Sequence, residues 1–346
     1  MKKQVSIYMQ CLLGAMCLVH CFSLQAWAKD FLYVPVNNHM HVISCETDSI
    51  IKTISYNDYI VGCTSSPDGT RLYLNTFHKI YEFSTESDEI VDVHEFHTDL
   101  NRVTIPPDME VSADGRYLYF STSITKKKMN IPRLNVIPPQ LIIYDLQKKK
   151  VVKNFEIPTA MNGIYTIKDD PNHLILAGQD LIKINLENGK YEKLMGFLHP
   201  EEGAPPLNAL VIWDLRSPGG NGISLIPVYS PTDMYYIIID TNTGQVRRLK
   251  GEDLYFAYSA MVSPDKKYIY GVMDELYKVD FETGKTVDYS VVPKGTCYSM
   301  AMTSDGKKLY AGPAGPDLTI YDTEAMEPLG TIPLKGDGLY VMRISK

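Results

Sequence analysis

Short runs of alternating apolar and polar residues fill most of the chain, and turns rich in Ser, Pro, Asp and Gly separate them. The clearest turn is Ser66-Pro67-Asp68-Gly69, which precedes the apolar run Leu72-Tyr73-Leu74, and similar phrases begin at Ser112, Ser263 and Ser304. Pro presets φ, Asp bonds back to the backbone, and Gly accepts a positive φ. The Tyr, Leu, Ile and Phe that follow suit a half-buried strand. A phrase recurring in this way predicts a repeat architecture of β-strands.

A second phrase, a strand followed by a polar turn, occurs seven times, beginning at His41, Lys79, Leu141, Leu181, Tyr236, Leu276 and Leu318. Three of the following turns contain a glycine: Asn188-Gly189, Thr243-Gly244 and Thr283-Gly284. These are hairpin connections that need a residue with positive φ.

The strands that follow the first phrase also number seven, centred on Tyr33, Tyr73, Tyr119, Ile175, Leu225, Tyr270 and Tyr310. Each unit adds an apolar inner strand, such as Tyr298-Ser299-Met300-Ala301-Met302, and a final hairpin. Four antiparallel strands per unit predict an all-β fold, a seven-bladed β-propeller that occupies residues 29–346 as one domain.

The two ends predict how the ring closes. The first unit begins at 31–34 without an inner strand, and 339–344 looks like an inner strand with no blade after it. We expect the C-terminal strand to join the N-terminal blade, because this arrangement leaves no open sheet edge.

Two segments interrupt the repeat. Residues 122–139 form a basic, Pro-rich insertion between two strands of one blade, and 196–207 add a second insertion. We expect both to be loops. Long loops on a rigid scaffold often carry binding, but many are simply tolerated, so partner contact stays open for both.

Residues 1–28 have the pattern of a cleavable secretory signal: Lys2 and Lys3, an apolar stretch over 7–24, and the cleavage motif Ala26-Trp27-Ala28. A lipoprotein at Cys21 and an uncleaved anchor are the alternatives. Cleavage would change the formal net charge from −7 to −9. This acidity argues against nucleic-acid binding, and the sequence predicts a soluble periplasmic protein without a membrane span.

Three cysteines remain after cleavage, Cys45, Cys63 and Cys297, so at most one internal disulfide can form. Cys63 and Cys297 occupy similar positions in their repeats. A bridge between them and buried free thiols are both open interpretations.

Catalytic motifs are not found in the sequence: there is no C-x-x-C, C-x-x-C-H, H-E-x-x-H, P-loop or G-x-S-x-G. His39 and His41 would share a strand face, whereas His94 and His97 would not. A metal site needs three or four converging ligands. The sequence therefore predicts no catalytic residue, no bound cofactor and no metal site in this chain.

Aromatic residues are the more suggestive set, because several fall where an inner strand begins. Starts of inner strands meet at one mouth of a propeller. These rings either pack between blades or form a partner surface or apolar pocket. The candidates are Trp213, Tyr255, Phe256, Tyr258 and Tyr298.

The chain resembles the beta subunit of quinohemoprotein amine dehydrogenase and is more distantly similar to the heavy chain of methylamine dehydrogenase and other YVTN-type propellers. The residues that carry the resemblance are Leu141-Ile142-Ile143-Tyr144-Asp145, Ala209-Leu210-Val211-Ile212-Trp213, Tyr255-Phe256-Ala257-Tyr258-Ser259, Tyr298-Ser299-Met300 and Leu318-Thr319-Ile320-Tyr321-Asp322. Before Leu141 the similarity lies mainly in the repeat pattern.

The resemblance implies a periplasmic heterotrimer that oxidises primary amines to aldehydes and ammonia. A small subunit would carry cysteine tryptophylquinone, and a dihaem cytochrome c subunit would pass electrons onward. The propeller would bind no cofactor, hold the small subunit and help to wall the substrate pocket. It would thus be an enzyme subunit without catalytic residues. The alternative is a stand-alone exported propeller that binds a protein or an envelope component.

Overall fold

Seven antiparallel sheets arranged in a ring make up the computed structural model, which describes residues 29–128, 130, 132–210, 215, 220–292, 295–312 and 314–346. The fold is a seven-bladed β-propeller, which confirms the prediction. The predicted signal segment 1–28 and the candidate Trp213 lie outside the described residues. Within the described part of the chain, no helix is long and apolar enough to cross a bilayer.

The strands follow the predicted order. Blade 1 contains β1 (Asp30–Val36), β2 (His39–Ser44) and β3 (Ser49–Ser55), and blade 2 contains β4 (Gly62–Ser65), β5 (Arg71–Asn75), β6 (Lys79–Ser84) and β7 (Glu89–Glu95). Blade 3 contains β8 (Asn101–Thr104), β9 (Met109–Val111), β10 (Tyr117–Lys127), β11 (Leu134–Asp145) and β12 (Lys150–Glu156). Blade 4 contains β13 (Gly163–Thr166), β14 (His173–Ala177), β15 (Asp180–Asn185) and β16 (Tyr191–Gly196).

The remaining strands complete the ring. Blade 5 contains β17 (Ile223–Tyr229), β18 (Met234–Asp240) and β19 (Val246–Lys250), and blade 6 contains β20 (Ser259–Val262), β21 (Tyr268–Val272), β22 (Glu275–Asp280) and β23 (Thr286–Val291). Blade 7 contains β24 (Ser299–Met302), β25 (Lys308–Gly312), β26 (Asp317–Asp322) and β27 (Pro328–Pro333), and β28 (Met342–Ser345) returns to blade 1.

Closure occurs as the sequence predicts. Strand β28 pairs antiparallel with β1, with Met342 opposite Tyr33 and Ile344 opposite Phe31. Beyond the last pair, the Lys29 N–H donates to the Lys346 carbonyl at 2.6 Å. The last strand of the chain therefore supplies the inner strand of the first blade.

The glycine turns have the predicted conformation. Gly189, Gly244 and Gly284 have φ of 72°, 77° and 74°, which favours glycine. Asp48 and Asp88 hold the corresponding hairpin positions of blades 1 and 2 with φ of 49° and 53°. Aspartate tolerates this region better than most residues, because its side chain bonds locally to the backbone.

The hydrophobic core is divided into seven clusters, each between two adjacent blades. One cluster, for example, joins Tyr33 and Met40 of blade 1 to Leu72 and Phe83 of blade 2. The seven aligned positions of the sequence repeat are all buried. Except in blade 5, where β17 is the first described strand, each lies in the strand that pairs with the inner strand. Packing between blades therefore explains why these positions recur as Tyr, Ile or Leu.

The insertion at 122–139 is not the predicted loop. Most of it extends β10 and β11 into a long hairpin, against which β8 pairs as an additional strand. Thr, Ile and Val in this segment favour strand. The ladder shifts register where Pro138 and Pro139 occur, and a bulge is a place where a proline without an N–H is tolerated.

Two other details complete the comparison with the sequence. Blade 5 has three strands among the described residues, and Trp213, where its inner strand was predicted to begin, lies outside them. Cys45, Cys63 and Cys297 are buried and free, which agrees with the free-thiol interpretation. Burial raises the pKa of the Cys63 thiol to about 12, so this thiol is poorly reactive at neutral pH.

Candidate functional site

The inner strands define the central channel and its two mouths. Neighbouring inner strands contact one another around the axis: β4 contacts β9, β9 contacts β13, β20 contacts β24, and β24 contacts β28. Since all run in the same direction through the ring, the residues before them meet at one mouth and the Ser-x-Asp-Gly turns after them meet at the other. The sequence candidates precede inner strands and therefore belong to the first mouth.

Tyr255 does not face this mouth. It is 6% exposed and packs in the cluster between blades 5 and 6. Its ring stacks on that of Tyr277, with centroids 3.6 Å apart, and its hydroxyl meets that of Tyr236. Gly271 makes room for this ring, because a Cβ there would lie 2.8 Å from the Tyr255 hydroxyl. Tyr255 is thus placed in the core between blades, which was one of the two interpretations.

Phe256 faces solvent at the mouth, and Tyr258 and Tyr298 are half-buried there. Phe256 is 53% exposed and contacts the ring of Tyr229, whose hydroxyl donates to the Ala257 carbonyl at 3.0 Å. The rings of Tyr258 and Tyr298, which belong to adjacent blades, lie 4.8 Å apart. The Tyr258–Tyr298 contact is linked to the backbone, since the Ser259 hydroxyl donates to the Tyr298 carbonyl at 2.9 Å.

Sequence reasoning missed Tyr59, which lies three residues before β4, as Phe256 lies three residues before β20. It is 41% exposed. Burial, with smaller effects from Asp337 and Tyr298, raises the pKa of Tyr59, which places these side chains in one neighbourhood. The signal that could have found it is its position ahead of an inner strand. We refer to Tyr59, Phe256, Tyr258 and Tyr298 as the aromatic mouth.

The opposite mouth contains a cavity of about 450 Å³, bordered by Ser-x-Asp-Gly turns and by Arg343. Arg343 is 8% exposed and pairs with Asp30 at 3.1 Å. Burial alone would raise the pKa of Asp30, but hydrogen bonds from Ser304 and Ser345 and the Arg343 charge lower it overall. The guanidinium is therefore already neutralised by a carboxylate and acts mainly in ring closure.

The histidines separate into different environments. His41 is fully buried: the Lys335 N–H donates to its Nε2, and its Nδ1 contacts the Thr53 hydroxyl, both at 3.0 Å. Its two nitrogens are thus both occupied by neighbours. His94 is also buried, but with Glu82 and Asp92 it forms a group whose ligand atoms lie within 4.8 Å of one another. The spacing of His94 and His97 gave no hint of this group, because Glu82 comes from the neighbouring strand.

Comparisons with known proteins identify the fold. No protein-family model and no curated protein sequence matches the chain. Among solved structures, a functionally unknown protein from Desulfotomaculum acetoxidans superposes with a TM-score of 0.61 at 14% identity, covering 89% of this chain and 97% of that one.

Two further structures superpose with slightly lower TM-scores. The dihydro-heme d1 dehydrogenase NirN in complex with DHE gives a TM-score of 0.57 at 14% identity over 94% of this chain and 76% of that one. Apo AztD from Citrobacter koseri gives 0.56 at 10% identity over 92% and 98%. At these identities the likeness shows the propeller fold alone.

Proposed function

We propose that this chain is a non-catalytic propeller that binds a protein partner through its aromatic mouth. The observation that carries the proposal is the exposed position of Phe256 beside the Tyr258–Tyr298 pair, at a place where the backbone is fixed by inner strands. Large aromatic side chains dominate the energetics of protein interfaces, because they bury much surface at low entropic cost. Leu254, which is 50% exposed, lies in the same loop as Phe256 and adds apolar surface.

In its most specific form, the proposal is that the chain is the propeller subunit of a periplasmic quinohemoprotein amine dehydrogenase. The proposal is supported by the sequence resemblance and by a propeller that presents aromatic side chains and backbone at this mouth. The mouth would hold the small subunit that carries cysteine tryptophylquinone and would shield the primary-amine pocket from water. The dihaem cytochrome c subunit would complete the heterotrimer.

Recovery of native partners tests both levels of the proposal. The tagged chain is expressed in its own host, and bound proteins are identified from the periplasmic fraction. Variants Phe256→Ala and Tyr258→Ala should lose the partner, whereas Val287→Ala, an exposed residue of outer strand β23, should keep it. A short quinone-bearing subunit and a dihaem cytochrome among the bound proteins would support the amine dehydrogenase.

Other outcomes separate the alternatives. A different envelope protein that is released by the same two variants supports the stand-alone binding propeller. Partners that bind all three variants equally contradict docking at the aromatic mouth. Amine oxidation by the isolated chain would contradict the non-catalytic role.

A further inference from the structure

Three side chains with metal-binding atoms converge on the outer hairpin of blade 2, away from both mouths. Glu82 on β6 lies directly opposite Asp92 on β7 in the strand register. His94 lies two residues farther along β7 and therefore projects from the same face. One ligand atom of each residue lies within 4.8 Å of the others. Two carboxylates opposite each other across a strand pair repel unless a positive charge compensates them.

The ring of His94 has one nitrogen engaged and one without a hydrogen bond. The side chain is 4% exposed, and its Nε2 has no hydrogen-bond partner. The Tyr144 hydroxyl of blade 3 lies 3.1 Å from Nδ1. When Nδ1–H donates to this hydroxyl, the lone pair of Nε2 is free, which is the tautomer that binds metals, and the Tyr144 contact fixes the ring orientation.

The closest of these separations suits a small divalent ion. Zinc–ligand bonds of about 2.0–2.2 Å place the ligand atoms of a tetrahedral site about 3.3–3.5 Å apart. His94 Nε2 and Glu82 Oε2 lie 3.4 Å apart. Asp92 Oδ2 is buried near the other side of the ring, 3.9 Å from Nδ1. One imidazole and two carboxylates leave the fourth position of a tetrahedral ion to water.

Each of the two carboxylates already contacts a cation. The two cations differ in whether they leave free the oxygen that a metal would use. Arg71 Nε lies 3.3 Å from Glu82 Oε1, the oxygen that is farther from the proposed ligand set. Lys149 Nζ lies 2.6 Å from Asp92 Oδ2, the oxygen that a metal would use. The Lys149 side chain is 62% exposed, so it can turn into solvent. We propose that Glu82, Asp92 and His94 form a Zn²⁺ site between the rims of blades 2 and 3, and that Lys149 competes with the metal for Asp92.

Titration with zinc alone tests the site. The purified protein is dialysed against a chelator, and Zn²⁺ binding is measured calorimetrically in a non-chelating buffer, with Co²⁺ absorption as a second readout of tetrahedral coordination. We expect one Zn²⁺ per chain. Glu82→Gln and His94→Gln should abolish binding, and Tyr144→Phe should weaken it about tenfold through loss of ring orientation.

Two further variants distinguish a metal site from an ion-pair network. Lys149→Gln should tighten Zn²⁺ binding, since it removes the competitor, although it also removes a contact to Asp92. His97→Gln, an exposed histidine beyond β7, should bind zinc as the unchanged protein does. The proposal is overturned if no zinc binds, if His97→Gln loses binding equally, or if Lys149→Gln weakens it. If His94→Gln fails to fold, the other two variants still test the site, because Glu82→Gln should abolish zinc binding and Lys149→Gln should tighten it.

Discussion

Tyr33 of blade 1 donates a hydrogen bond to Asp88 Oδ1 of blade 2 at 2.7 Å, and its hydroxyl also lies 3.3 Å from the Thr85 carbonyl. The same relationship occurs at the closure of the ring, where Tyr310 of blade 7 donates to Asp48 Oδ1 of blade 1 at 2.6 Å. Burial and the Asp88 hydrogen bond raise the pKa of Tyr33, so the hydroxyl remains a donor at any physiological pH. The repeated tyrosine thus joins each of these blades to the hairpin of the next.

Removal of this hydroxyl should weaken the ring. In Tyr33→Phe the aromatic packing is kept, but the bond to a carboxylate is lost, which typically costs about 1–3 kcal/mol in the free energy of unfolding. Urea unfolding monitored by circular dichroism would measure the change, with Tyr310→Phe expected to behave alike. Tyr289→Phe is the control, because Tyr289 is 56% exposed. Equal stability of Tyr33→Phe and Tyr289→Phe would show that the blade-to-blade bond contributes nothing.

These tyrosines also show what the sequence could reveal. Their spacing, the polar turn ahead of each strand and the glycines of the hairpins are local signals, and each is set by backbone conformation or by a buried strand face. Their positions therefore predicted the blades and their number, while the two ends of the chain predicted the closure. The Asp88 partner was not predictable from local signals, because it comes from the next blade.

The candidate sites depend more strongly on such contacts between strands and blades. Tyr255 and Phe256 are neighbours in sequence, yet one is buried against Tyr277 and the other is exposed. Their common position before β20 left packing between blades and a surface at the mouth open for both residues and could not separate them. The Glu82–Asp92–His94 group depends on the register of one hairpin and on a contact from blade 3. The spacing of the histidines in the sequence gives no information on either.

The closing ion pair should contribute strongly to stability. Arg343 of β28 and Asp30 of β1 have side chains only 10% and 8% exposed. In Arg343→Met, Asp30 would remain buried without its cation, which typically costs about 3–5 kcal/mol. Lys307→Met is the control, since the Lys307 side chain is 82% exposed in its pair with Asp305 and such pairs contribute about 0–1 kcal/mol. Chemical unfolding of the three proteins would measure the difference, and similar losses in both variants would contradict a special role for closure.

His41 should make the fold sensitive to mild acid. Burial, with smaller contributions from His39 and Lys335, lowers the pKa of His41 to about 4, whereas an unfolded histidine has a pKa of about 6.5. The unfolded state therefore binds the proton first, and the free energy of unfolding should fall as the pH decreases from about 6.5 to about 4, by on the order of 2–3 kcal/mol.

Unfolding curves of the unchanged protein and of His41→Gln across this pH range measure the effect. The variant lacks the titrating group and should show a shallower dependence on pH, even though it is less stable at neutral pH. His39→Gln leaves His41 in place and should keep the steep dependence. Parallel curves for the unchanged protein and His41→Gln would exclude His41 as the source.

Gly271 should be intolerant of a side chain because of the ring of Tyr255. A Cβ at this position would lie 2.8 Å from the Tyr255 hydroxyl and 3.2 Å from its Cε2. The ring cannot easily yield, since it is stacked on Tyr277. Gly271→Ala should therefore cost about 1–3 kcal/mol in the free energy of unfolding, as overpacking of a core does.

Gly330→Ala is the matched control, because a Cβ at Gly330 meets nothing within 4 Å. Tyr255→Phe removes the hydroxyl that lies nearest to the added Cβ, so the double variant Gly271→Ala/Tyr255→Phe should lose less stability than the sum of the two single variants. Additive losses in urea unfolding would mean that the cost at Gly271 arises from the backbone and not from this ring.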